Sequence, residues 1–198
     1  LLIAIAEVQQ LANELMKPFA VNIDFQRGTI SAPARVLRRT LKDLEGLFYD
    51  EEEYRRILAK EDPLLYEVYE VPVPNEEGHL LSCTTIIYPG KVGKEYYFTK
   101  GHFHEKEDRA EIYTCLQGEG YLLMHTRSGD VASIHMTPGV SAYIPPYWSH
   151  RTLNCGSEPF IFYGVWPGDA GHDYGSIKEE GFPLRVFEEN GVPVVKKI

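Results

Sequence analysis

His102 and His104 stand two residues apart in Gly101-His102-Phe103-His104, Glu111 follows, and His150 closes the run Pro145-Pro146-Tyr147-Trp148-Ser149-His150. In an extended chain the side chains at i and i+2 leave the same face, so both imidazoles can address one ion. Glu111 then returns on the next strand. Three imidazoles and a carboxylate suit a borderline divalent ion such as iron, manganese, nickel, cobalt or zinc, rather than calcium with its oxygen-only ligands. Two histidines alone would carry little, because core and surface histidines are common. The spaced set of four carries the reading.

Strands must position these residues. From Leu64 onward, short runs rich in Val, Ile, Thr, Tyr and Phe are separated by turn signals at Pro74-Asn75, Pro89-Gly90, Gly118-Glu119-Gly120, Ser128-Gly129-Asp130, Pro138-Gly139 and Gly156-Ser157. That punctuation predicts an all-β sandwich or barrel of seven or more strands, with a closing loop after Gly168 and a last strand near Leu184 to Phe187. The earlier residues read differently. Leu1, Ile5, Val8, Ala12 and Leu15 recur at helical spacing and predict an amphipathic helix that Lys17-Pro18 ends. A short hairpin is expected through Phe25, Gly28, Thr29 and Ile30. Thr40 with Asp43 marks an N-cap, and Asp50 with Glu53 starts a helix over Tyr54 to Lys60 that Pro63 closes. The 198 residues therefore divide into an N-terminal extension, 1–63, whose helices pack on a barrel, 64–198, within one domain.

Composition narrows the function. Hydrophobic residues at 43% and charged residues at 25% fit an ordinary globular chain, and 20 basic against 29 acidic residues give a net charge of −9, which argues against a nucleic-acid surface. An anionic ligand would need a local cationic or amide-lined pocket. Cys83, Cys115 and Cys155 are far apart without any Cys-X-X-Cys spacing, so reduced thiols in the cytoplasm are expected. The apolar run Leu1 to Val8 lacks the basic flank of a signal peptide and is far shorter than the ~20 residues needed to span a bilayer.

His-X-His, Glu111 and Gly118 resemble the first cupin motif, and Gly139, Pro145, His150 and Asn154 the second; the loop Glu105 to Ala110 is longer than usual, and Tyr147 replaces a glycine. A longer run, Tyr88 to His104 (YPGKVGKEYYFTKGHFH), continues through Asp108-Arg109-Ala110-Glu111. With Pro145 to Thr152 and Asp169-Ala170-Gly171-His172-Asp173-Tyr174-Gly175 it is similar to the cupin-type glucose-6-phosphate isomerases of archaea, over roughly Leu64 to Gly181. The resemblance implies an all-β cupin double-stranded β-helix, or jelly roll, with an N-terminal helical extension. It implies a metal-dependent aldose-ketose isomerase that interconverts glucose 6-phosphate and fructose 6-phosphate in glycolysis and gluconeogenesis, acting as a cytoplasmic homodimer.

By the same resemblance His102, His104, Glu111 and His150 are the metal ligands. One divalent ion per subunit is expected, iron(II) first, with manganese, nickel or zinc as alternatives. Glu111 is the candidate for proton transfer, against which stands the weak basicity of a carboxylate held on a cation. His172 and Tyr174 are catalytic candidates for ring opening and hydroxyl protons. The resemblance also implies that Tyr66, Thr85, Thr99, Gly101 and Tyr113 line the phosphate and sugar pocket, while Trp166 stands where the family pattern has tyrosine and removes one hydroxyl. There is no Gly-rich phosphate loop and no basic cluster; Lys100, Arg109 and Arg151 are the cations beside the metal motif. Competing readings are another phosphosugar isomerase or epimerase, an iron-dependent cupin dioxygenase, and a non-catalytic sugar- or metal-binding cupin. No membrane or nucleic-acid partner is expected.

Overall fold

Residues 16–198 are described by the structure, a computed structural model; the helix expected over 1–15 lies outside them. The strands are β1 (Arg35–Thr40), β2 (Leu64–Glu70), β3 (Leu80–Ile87), β4 (Lys91–Val92), β5 (Glu95–Tyr96), β6 (Glu111–Gln117), β7 (Gly120–Thr126), β8 (Val131–Met136), β9 (Ser141–Ile144), β10 (Trp148–Asn154), β11 (Phe160–Pro167), β12 (Leu184–Glu189) and β13 (Val192–Lys197). Two short helices, α1 (Glu51–Leu58) and α2 (Gly175–Glu180), and one 3-10 turn, Leu41–Leu44, join them. A six-stranded sheet in the order β1-β2-β3-β11-β6-β9 faces a three-stranded sheet, β10-β7-β8, and a smaller sheet, β13-β12-β5-β4, flanks them. All pairings are antiparallel. This is the cupin jelly roll.

The alternation of each strand decides what points inward. On β6 Glu111, Tyr113 and Cys115 are buried while Ile112 is exposed, and on β9 Ala142 and Ile144 are buried against exposed Ser141 and Tyr143. Phe98, Phe103, Phe160 and Phe162, each at most 2% exposed, fill the space between the sheets with Leu122, Leu123 and Met136. Each such side chain contributes roughly 1.5–3 kcal/mol by leaving water. This apolar layer fixes the strands that carry the polar residues at one end.

The N-terminal hairpin forms through the Ile23–Ile30 bridge. Gly28 has φ +71°, and a Cβ there would come 2.5 Å from Ile86 Cγ1, so only glycine lets this turn lie on the outer face of the large sheet, where the Thr84 hydroxyl donates to its carbonyl. The Asp43 carboxylate accepts from the Thr40 N–H at 2.9 Å, but the turn it caps is only four residues of 3-10 geometry. Asp50 caps α1 by accepting from the Glu53 N–H at 2.9 Å. The helix therefore begins at Glu51, ahead of the expected Tyr54, and stops at Leu58, before Lys60. Neither β1 nor α2 was expected from the sequence, and the last strand is β13, paired with β12, rather than the one expected near Leu184 to Phe187. β1 runs antiparallel along β2 from Arg35 opposite Glu70 to Thr40 opposite Leu64, so the first 63 residues contribute a strand to the main sheet.

Candidate metal centre and adjoining cavity

The segment carrying His102 and His104 is stitched on both sides. His102 exchanges backbone hydrogen bonds with His150 of β10 (3.2 and 3.1 Å), and Phe103 does so with Asp173 (3.2 and 2.8 Å). Directly opposed residues in an antiparallel pair share a face. His150 therefore joins His102, whereas Asp173 joins Phe103, whose ring is 1% exposed. That register turns His172 and Tyr174 toward the face of His102 and His104. The rings of His102 and His172 are 4.5 Å apart, and those of His172 and Tyr174 stack at 5.8 Å and 7°. Glu111, first residue of β6, completes the group.

One donor atom from each of His102, His104, Glu111 and His150 lies within 4.8 Å of the others, and all four residues are buried. The His104 Nδ1–H donates to the Arg109 carbonyl at 2.9 Å, which leaves Nε2 as the lone-pair nitrogen of the neutral ring, 3.1 Å from Glu111 Oε2. Two lone pairs that close need a proton or a cation between them. His150 Nε2 is 2.9 Å from the same oxygen without hydrogen-bond geometry, and among the described residues His102 Nε2 also has no partner. Converging, dry nitrogens without donors to match fit a divalent ion.

The electrostatics agree. Burial, then the neighbouring His150, His172 and His104, hold His102 well below the ordinary histidine range, so its ring is neutral. Burial alone would raise Glu111, yet His150 and His104 bring it down to about 2, so it is an anion before any metal arrives. Burial opposes charging of His104, but Glu111 overcomes this and raises it. A second group, Glu119, His135 and Cys155, also has donor types for a metal, but Glu119 and His135 are exposed and already joined at 2.8 Å.

A cavity of about 270 Å³ opens beside the four residues, lined among others by Tyr66, Thr85, Thr99, Gly101, Tyr113, His172 and Tyr174. All the substrate and catalytic candidates from the sequence thus reach one space. Trp166 lines it too, 8% exposed, with an indole N–H that has no partner among the described residues. The position therefore keeps a hydrogen-bond donor although it lacks a hydroxyl. Of the three sequence-proposed cations, only Lys100 lines this cavity. Arg109 is held by Asp169 (2.8 Å) and Asp108 (2.8 Å). Arg151 lies buried against Phe98 (4.2 Å) and Phe182 (4.7 Å) and donates to the Lys100 carbonyl at 2.8 Å, bracing Gly101 from behind. Arg35, Leu37 and Arg39 of β1 reach the cavity instead. The sequence signal for them was an i, i+2, i+4 spacing, hidden because two of the three inward residues of that strand are charged.

A family model described as glucose-6-phosphate isomerase matches residues 38–198. The chain is 54% identical over 175 residues to glucose-6-phosphate isomerase of Pyrococcus furiosus, covering 88% of this chain and 92% of the relative. It is 53% identical over 175 residues to that of Pyrococcus horikoshii, with the same coverage. Similarity reaches glucose-6-phosphate isomerase of Sinorhizobium medicae at 35% over 178 residues, 89% of this chain and 83% of the relative. A buried three-histidine, one-carboxylate centre at the end of a polar jelly-roll cavity, with this match across nearly the whole barrel, places the chain in the glucose-6-phosphate isomerase family.

Proposed function

We infer that the chain interconverts glucose 6-phosphate and fructose 6-phosphate with one divalent ion held by His102, His104, Glu111 and His150. The observation that carries this reading is the convergence of those four buried side chains on a cavity that also gathers His172, Tyr174 and the hydroxyls of Tyr66, Thr85, Thr99 and Tyr113. When bound, the ion supplies Lewis acidity to the neighbouring oxygens of the sugar as the carbonyl moves between C1 and C2. Glu111 uses Oε2 toward His104 and His150, while Oε1 lies on the side of Gly164 and Tyr113. One carboxylate can thus hold the ion through one oxygen and face the sugar with the other. Its low proton affinity weighs against Glu111 as the sole carbon base. His172 and Tyr174, stacked at the rim, are assigned to opening the sugar ring by moving protons at its hydroxyl oxygens. Thr85, Thr99, Tyr66, Tyr113 and the cavity-lining backbone of Gly101 are assigned to orienting the sugar phosphate.

Iron(II) is the proposed native ion, ahead of manganese, nickel or zinc, since a mixed imidazole and carboxylate set suits it. The chain is proposed to act in the cytoplasm, in glycolysis and gluconeogenesis; no described helix is long and apolar enough to cross a membrane. Residues 1–63 and 64–198 are proposed to form one domain, since β1 is a strand of the main sheet. A homodimer is supported by edge strand β9 and by the opposed pair Ile112 and Tyr143, 43% and 58% exposed on its outer face. The test is the rate of glucose 6-phosphate formation from fructose 6-phosphate on chelator-stripped protein and after each metal is restored. Activity should vanish on stripping and return with a metal; folded, loaded protein without activity would overturn the assignment.

A further inference from the structure

The cavity has a cationic end that no loop motif announces. In the pairing of β1 with β2, Arg35 faces Glu70, Leu37 faces Val68 and Arg39 faces Tyr66, and all six line the cavity. The two arginines differ in what they meet. Arg35 is neutralised by Glu70 through two hydrogen bonds of 3.0 and 2.6 Å. Arg39 makes no ion pair among the described residues, and its Nε is removed from water with no partner there. Tyr66, opposite it in register, Tyr174 and a second cation, Lys100, line the same cavity. Arg38, one residue away on the opposite face, is paired with Glu67 at 2.7 Å. In a chain of net charge −9, Arg39 is a guanidinium with no carboxylate paired to it among the described residues, and it lines a ligand cavity.

A guanidinium whose Nε is shut off from water without a partner favours an anion beside it, and its planar fork matches phosphate oxygens two at a time. The sheet also supplies a length. Gly164 lies beside Glu111 Oε1 and in register with Cys83, which is opposite Glu70 and so in the row of Arg35. Arg39 is four residues further along β1, about 13 Å along the strand at ~3.3 Å per residue, and β1 is also three strands away from β11, so its long side chain reaches back across the cavity toward the metal end. A hexose 6-phosphate likewise carries its phosphate at the opposite end of the carbon chain from the reacting C1 and C2.

We propose that Arg39 binds the phosphate of the sugar substrate, so that a strand outside the cupin motifs supplies the principal charge for substrate recognition. The proposal rests on the isomerase reading for its substrate, but not for its anion. Arg39→Ala should raise KM for fructose 6-phosphate about 10- to 100-fold, the loss of a charge-assisted hydrogen bond, with kcat changed less than about threefold. The inhibition constant for inorganic phosphate should rise in parallel, Arg39→Lys should recover part of both, and Arg38→Ala should alter neither.

Unchanged KM and phosphate inhibition in folded, metal-loaded Arg39→Ala would overturn the proposal, as would a fall in kcat alone. If Arg39→Ala does not fold, Arg39→Lys and Arg39→Gln decide by the same pair of constants. Calorimetric titration of the metal-loaded chain with inorganic phosphate separates the two readings. Binding that Arg39→Ala weakens would support the anion site even if fructose 6-phosphate were not turned over. Equal binding by both proteins would reject the site while leaving the isomerase intact.

Discussion

The two ends of the cavity are built on opposite plans. At the metal end His102, His104, Glu111 and His150 are each at most 8% exposed, and backbone pairing locks their strands into register. At the other end Arg39, Tyr66, Thr85 and Thr99 come from β1, β2, β3 and the segment before Gly101, and they offer hydroxyls and one guanidinium. The first end concentrates binding in four donors around a point. The second distributes it over several separate strands. Loss of one donor should therefore abolish function at the first end and weaken recognition at the second.

The largest effect is expected at the metal end. His150→Ala removes one donor and leaves Glu111 and His104 facing each other around a partly empty space. It should lose the ion and lower isomerase activity by more than ~100-fold, the upper range seen even for partners that only support metal ligands. His125→Ala is the matched control, because His125 is as buried (6% exposed) but packs on Phe103 and Phe182 outside the group. Elemental analysis of both proteins breaks the comparison if His150→Ala keeps a full ion, or if His125→Ala loses one while folded.

Legibility in the sequence follows the same division. The metal end is confined to positions 102–150, and His-X-His needs only an extended backbone to share a face, so local spacing was enough. The cationic end was hidden because strand reading looks for apolar residues on the inward face. In Arg35–Thr40 that face carries Arg35, Leu37 and Arg39, and only pairing with β2 reveals that they point inward. For the same reason Arg109 and Arg151 attracted attention by proximity in sequence, although ion pairing takes one and aromatic packing the other away from the cavity. Helix α2, six residues following Tyr174, is too short for a periodicity to register. Turn chemistry was more reliable, as Asp50 and Gly28 show, since a cap or a positive φ depends on a few adjacent residues.

Between the two ends stand His172 and Tyr174, held near the metal group by the Phe103–Asp173 pairing rather than by any ligand bond. His172→Ala should leave metal content unchanged and lower turnover about 100-fold, the lower part of what a positioned acid or base contributes. The outcome sharpens the contrast: lost metal would extend the metal end to include His172, and normal turnover would remove His172 from the chemistry altogether.

The smallest effect should come from Trp166, where the indole replaces the expected tyrosine. The residue is 8% exposed, its ring meets His172 edge-on at 5.9 Å, and its N–H has no partner among the described residues. Two features are superposed there, packing against the His172 ring and a buried N–H left unpartnered. Trp166→Phe keeps an aromatic ring of reduced size and deletes the donor. A neutral hydrogen bond is worth about 0.5–1.5 kcal/mol, so KM for fructose 6-phosphate should rise roughly 2- to 10-fold with kcat nearly unchanged. A fall in kcat at constant KM would instead mean that the indole acts by holding His172. Trp166 would then belong with the precisely positioned metal end, and the distributed end would lose one of its donors.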